Sequence, residues 1–123
     1  MGAPAAGDVS VQVFGRRDSR QTQRALRFFK ERRVPVSFVD LAVRPIAPTE
    51  LRRFAQRFGV EALIDRDGHR YRDLGLGYLR LDETEILERL LADPGLLRLP
   101  LVRRGETCVV GADEAAWKAL LVH

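Results

Sequence analysis

The chain has 123 residues, 46% of them hydrophobic and 31% charged. That is enough for one domain with a real core and too few for two ordinary ones. Its 21 basic and 17 acidic residues give a net charge of +4, and no apolar run approaches the roughly eighteen residues of a membrane span. A soluble, cytoplasmic protein with no membrane partner is therefore expected.

The single cysteine, Cys108, excludes an intrachain disulfide. Two histidines beside it form a poor ligand set for zinc, so neither a metal nor a cofactor is expected. Lys30 and Lys118 are the only lysines; every other basic residue is arginine, which makes planar, bidentate contacts to phosphate and carboxylate.

The first eight residues, MGAPAAGD, are small and flexible. They read as a disordered start, not a signal peptide, because no basic region precedes an apolar one. Residues 9–123 then form one domain. Val9 to Phe14 is an apolar, β-rich run followed by the loop Gly15 to Asp18 (GRRD). A helix over 19–33 follows, with Asp18 or Ser19 as N-cap. Thr22, Ala25, Leu26 and Phe29 make its buried face, and Arg20, Arg24, Arg27 and Lys30 lie on the other. Val34 to Leu41 is the second strand; Pro35 fits its start or a sheet edge.

Residues 44–97 read as a helical insertion. Thr49 is expected to cap a helix over 50–58 that Gly59 stops. Asp67-Gly68 marks a polar turn that carries His69. Asp82 with Glu85 is a capping box opening a helix over 82–91, with Ile86, Leu87, Leu90 and Leu91 facing the core. Residues 99–102 and 107–110 flank the loop Arg103-Arg104-Gly105-Glu106 and predict a hairpin. Gly111 separates it from a last amphipathic helix over 113–121, with Ala116, Trp117, Leu120 and Leu121 on one side. The order β-α-β, helices, β-β-α predicts an α/β fold with a mixed four-stranded sheet. Its first two strands are parallel and joined by a right-handed crossover.

Three segments in this order carry a family resemblance: VQVFGRRDSRQTQRALRFFKERRVPVSFVDL, LGLGYLRLDETEILERLLADPGLLRLPLV and RRGETCVVGADEAAWKALL. They look like the first strand, active loop, helix and second strand, then the middle helices and third strand, then the closing hairpin and helix, of the arsenate reductase (ArsC)/Spx family. The resemblance spans roughly residues 9–122 and implies a thioredoxin-like, glutaredoxin-like fold. It places the family's nucleophilic cysteine on Ser19. The arginine that the family keeps before the proline entering the third strand falls on Leu99, with Arg98 one residue earlier. Pro100 would then be the cis-proline beside the active site, and Cys108 matches no family nucleophile.

A cysteine at a helix N-terminus works because the dipole and free N–H groups stabilise its thiolate. A serine there needs a general base, and the loop offers only Asp18. No catalytic residue is therefore assigned. The anion-binding character of the loop survives: Arg16, Arg17, Ser19 and Arg20, with Arg98 from the proline side, make a candidate oxyanion or phosphate site. The basic stretch 16–33 lacks interleaved stacking aromatics, which speaks against direct nucleic-acid binding.

The favoured reading is a non-redox binding or regulatory protein. Its ligand would be a small oxyanion or thiol, or a protein partner from the transcription machinery, as Spx-type relatives that bind RNA polymerase imply. The alternative is an arsenate reductase, or a glutathione- or glutaredoxin-linked oxidoreductase using an unconventional thiol. A third reading is a dimerising module, with Phe54, Leu63, Tyr71, Leu76 and Tyr78 as an apolar patch.

Overall fold

A computed structural model describes residues 10–122. The segment 1–8, expected to lack order, lies outside the described residues. Strands β1 (Val11–Gly15), β2 (Val36–Asp40), β3 (Leu101–Arg104) and β4 (Thr107–Val110) form one sheet in the order β2-β1-β3-β4. β1 pairs with β2 in parallel; β1–β3 and β3–β4 are antiparallel. Helix α1 (Arg20–Glu31) makes the crossover between the parallel strands. Helices α2 (Pro48–Phe58), α3 (His69–Asp73) and α4 (Glu83–Ala92) fill the middle of the chain, and α5 (Glu114–Leu120) closes it. This is the thioredoxin-like mixed sheet with a β-α-β opening and a β-β-α ending.

Side chains alternate across the sheet, as the pleat requires. Val11 and Val13 of β1, with Val102 and Val109, face α1 and α5 and pack on Ala25, Phe28, Phe29, Trp117 and Leu120. Phe14, Leu101 and Cys108 face the other way, against Leu51, Phe54 and Leu90 of α2 and α4. The first face is held by an aromatic cluster: the Trp117 ring lies 5.4 Å from Phe28 and 6.1 Å from Phe29. The second face carries a polar pin. From β3, Arg103 donates to both carboxylate oxygens of Glu50 on α2 (3.0 and 2.7 Å), to Gln12 Oε1 on β1 (3.0 Å) and to the Gly105 carbonyl (2.7 Å). This bidentate pair is largely buried and ties α2 to the sheet.

Helix caps follow local chemistry. Ser19 Oγ accepts from the Thr22 amide at 3.2 Å. Asp82 and Glu85 form a reciprocal capping box, and Asp113 caps α5 through the Ala116 amide at 3.0 Å. Thr49 is not a cap. Helix α2 starts earlier, at Pro48 behind Ala47, with no side-chain cap bond, because proline at the first helical position has its φ preset and no N–H to satisfy. The turn expected around His69 winds into the short helix α3 after Gly68. The hairpin loop is shorter than expected. Pro100 cannot donate to a ladder, so β3 begins at Leu101 and extends through Arg104, leaving Gly105 at φ 60° and Glu106 to make the turn.

On α1 the buried face is Thr22, Ala25, Phe28 and Phe29; Phe28 replaces the expected Leu26, which is half-buried. In α4, Ile86 and Leu90 are buried, with Leu87 and Leu91 only partly so. Phe54, Leu63 and Leu76 belong to the core and Tyr71 is partly buried against it. Of the five residues expected as an apolar patch, only Tyr78 stands out in solvent, at 95% exposure.

Candidate anion-binding cleft

β1 ends at Gly15, and a tight turn joins it to α1, closed by the Ser19 amide donating to the Arg16 carbonyl at 3.0 Å. With Ser19 as cap, the Thr22 and Gln23 amides are satisfied by Ser19 oxygens, leaving the amides of Arg20 and Gln21 without an intrahelical acceptor. These residues open onto a cleft of about 550 Å³. Its lining comes from Arg16, Asp18, Ser19, Arg20 and Gln21 of the loop and α1, from Asp65, Asp67 and Gly68 of the middle segment, from Leu97, Arg98 and Leu99 ahead of β3, and from Gly111 after β4.

Four of the five residues expected at an anion site, Arg16, Ser19, Arg20 and Arg98, therefore border one cleft. Arg17 does not. Its guanidinium turns to β2, 3.6 Å from the Asp40 carboxylate and 5.1 Å from the centroid of the Phe38 ring. The Leu99–Pro100 peptide is cis, and the Pro100 carbonyl accepts from the Gly111 amide at 2.9 Å. Gly111 has φ 78°, a left-handed conformation that favours glycine, and a Cβ there would lie 2.8 Å from Arg98 Nε.

Both signs of charge meet in the cleft: Arg16, Arg20 and Arg98 against Asp18, Asp65 and Asp67. Arg16 Nε sits 3.4 Å from Asp18 Oδ1, too long for a good charge-assisted bond. That nitrogen is buried without a hydrogen-bond partner among the described residues. The acidic part of the lining has no signature in the sequence: Asp67 lies in the expected polar turn, and only tertiary contact brings it and Asp65 to the same cleft as the start of α1.

Cys108 lies elsewhere. In register it pairs with Arg103, which pairs with Gln12, whereas the cleft sits past Phe14, Leu101 and Val110 at the other end of the strands. Its side chain packs under α2 and is 7% exposed. Burial pushes its thiol above the ordinary value of 9.0; the Arg103 guanidinium opposes the shift and Glu50 adds to it. A buried, protonated thiol is a poor nucleophile. Alkylation by iodoacetamide at pH 7.5 is expected to run at least about tenfold slower in the native chain than in urea-unfolded chain. Because the folded thiol holds its proton longer than the unfolded one, its contribution to stability is present below pH 9 and is lost as pH rises through the folded value. Thermal melts above pH 9 should fall more steeply for the wild type than for Cys108→Ser.

Among the described residues, no group of three or more histidine, cysteine or acidic side chains is placed to hold a metal, and no helix is long and apolar enough to cross a membrane.

The sequence profile of the ArsC family matches residues 16–120. No curated protein matches the chain in sequence. Among solved structures, a protein named YFFB is 26% identical, with a TM-score of 0.84 over 91% of this chain and 99% of that one. An arsenate reductase from Vibrio cholerae is 17% identical, with a TM-score of 0.76 over 94% and 98% of the two chains. An arsenate reductase (ArsC) related protein from Brucella melitensis is 22% identical, with a TM-score of 0.67 over 93% and 96%. At these identities the last two speak for the fold alone. The profile covers most of the chain, including the strand-to-helix loop and the closing hairpin: this protein belongs to the ArsC family.

Proposed function

We propose that this protein is a non-redox binding or regulatory member of the ArsC family that holds a small oxyanion in the cleft at the start of α1. The observation that carries the reading is the lining of that cleft. Arg16, Arg20 and Arg98 surround a helix N-terminus, yet none of the lining residues is a cysteine. Free amides at a helix start and guanidinium forks suit a tetrahedral oxyanion. Ser19, which the family resemblance sets at the nucleophile position, spends its oxygen on capping α1. Cys108, the chain's single thiol, is buried at the far end of the sheet. An anion in this cleft is held, not reduced. On the outside of α1, the exposed Arg27 and Lys30 offer a basic face to a protein partner, as Spx-type relatives suggest.

Titration calorimetry with phosphate and with arsenate tests the binding. Arg16→Gln combined with Arg98→Gln is expected to weaken either anion by about tenfold or more. Asp18→Asn is expected to tighten binding several-fold, since it removes the carboxylate beside Arg16. Incubation with arsenate, glutathione and glutaredoxin should produce no arsenite above a protein-free control. Steady arsenite production would instead establish the alternative, a thiol-linked reductase whose sulfur arrives with the co-substrate.

A further inference from the structure

A second hollow, of about 440 Å³, lies within the helical middle of the chain and shares no lining residue with the cleft. Its volume falls in the range of small-ligand sites, roughly 300–1,000 Å³. The floor is apolar: Leu76, Ile86, Leu90 and Leu96 are core residues with one side turned to the hollow. Exposed Leu79 stands at its edge. The rim is cationic. Arg66 is ion-paired with Glu61, but neither Arg80 nor Arg89 is ion-paired among the described residues.

We propose that this hollow binds an amphipathic organic anion, a small carboxylate with an aliphatic tail. The tail would replace water over Leu76, Ile86, Leu90 and Leu96, and burial of apolar surface favours that exchange. The headgroup would lie between the Arg80 and Arg89 guanidiniums, whose planar forks match a carboxylate and whose aliphatic stems extend the apolar wall. An uncharged tail of the same length leaves the two guanidiniums unanswered. A short anion without a tail leaves the floor wet. The hollow therefore selects for both parts in one molecule.

Octanoate, 1-octanol and acetate separate these contributions when titrated into the full chain. Octanoate should bind, 1-octanol about tenfold more weakly or worse, and acetate not measurably. Arg80→Gln combined with Arg89→Gln should erase the advantage of octanoate over octanol. Gly77→Leu places a side chain beside the Tyr71 ring, where a Cβ meets Tyr71 at an ordinary 3.5 Å, and should block both ligands while the chain still folds. In amide NMR spectra, octanoate should shift Gly77 and Arg80 and leave Ser19 and Gly111 in place. Absence of octanoate binding, equal affinity for octanoate and octanol, or binding that survives Gly77→Leu would overturn the proposal.

Discussion

Replacing Trp117 with alanine is expected to lower the unfolding free energy by about 3–5 kcal/mol. In a domain whose total stability is of order 5–15 kcal/mol, that is the largest single loss anticipated for this chain. The reason lies in where the indole sits. Trp117 has no exposed surface, and it fills the wedge between α5, α1 and the sheet, against the Phe28 and Phe29 rings. Three elements meet on it, so removing it leaves a void that no one neighbour can close without giving up its own contacts. The indole Nε1 has no hydrogen-bond partner among the described residues. Phenylalanine therefore loses volume but no bond, and Trp117→Phe should cost clearly less. Urea unfolding of the wild type and both variants checks the order. For the alanine variant, a midpoint drop on the order of 15 °C is expected in thermal melts.

Gly15→Ala is expected to cost about 1–3 kcal/mol and to weaken oxyanion binding at the same time. A Cβ at Gly15 would lie 2.4 Å from Thr22 Oγ1 and 2.6 Å from its Cγ2. Neither atom can retreat, because Thr22 is fully buried. The first turn of α1 must therefore move off the end of β1, carrying Ser19 and the free amides of Arg20 and Gln21 with it. Thr22→Ala removes both clashing atoms. The Thr22 hydroxyl has no hydrogen-bond partner among the described residues, so the second change sacrifices little, and Gly15→Ala/Thr22→Ala should recover most of the stability. A double-mutant cycle in urea, run beside phosphate titrations, measures both effects. Simple additivity of the two losses would show that the close approach does not govern the turn.

What the sequence disclosed is what local chemistry decides. Ser19 and the Asp82–Glu85 pair cap their helices because side-chain oxygens reach orphan amides within one turn. The apolar run through Phe14 marked β1 as a buried strand, though not which of its residues meet which layer. Misreadings arose where a distant partner or a backbone constraint overrode the local pattern. Pro48 initiates α2 ahead of Thr49. Phe28 is drawn inside by Trp117, ninety or so residues later in the chain, which widens the buried stripe of α1 beyond what its spacing implied. Arg17 sits beside Arg16 in the loop, yet Asp40 and Phe38 of β2 take it out of the cleft. The cleft was half legible: its basic loop and Arg98 could be named, but the acidic wall of Asp65 and Asp67 depends on how residues 60–98 fold back.

That fold-back joins the two hollows. Ile64 pairs with Leu97 in a short antiparallel bridge, flanked by the Asp65 amide donating to Leu96 (2.9 Å) and the Arg98 amide donating to Leu63 (2.8 Å). Ile64 and Leu96 face one chamber, while Asp65, Leu97 and Arg98 face the other. The bridge is a party wall between them. The Ile64–Leu97 pairing and the Asp65–Leu96 hydrogen bond each tie a residue lining one room to a residue lining the other.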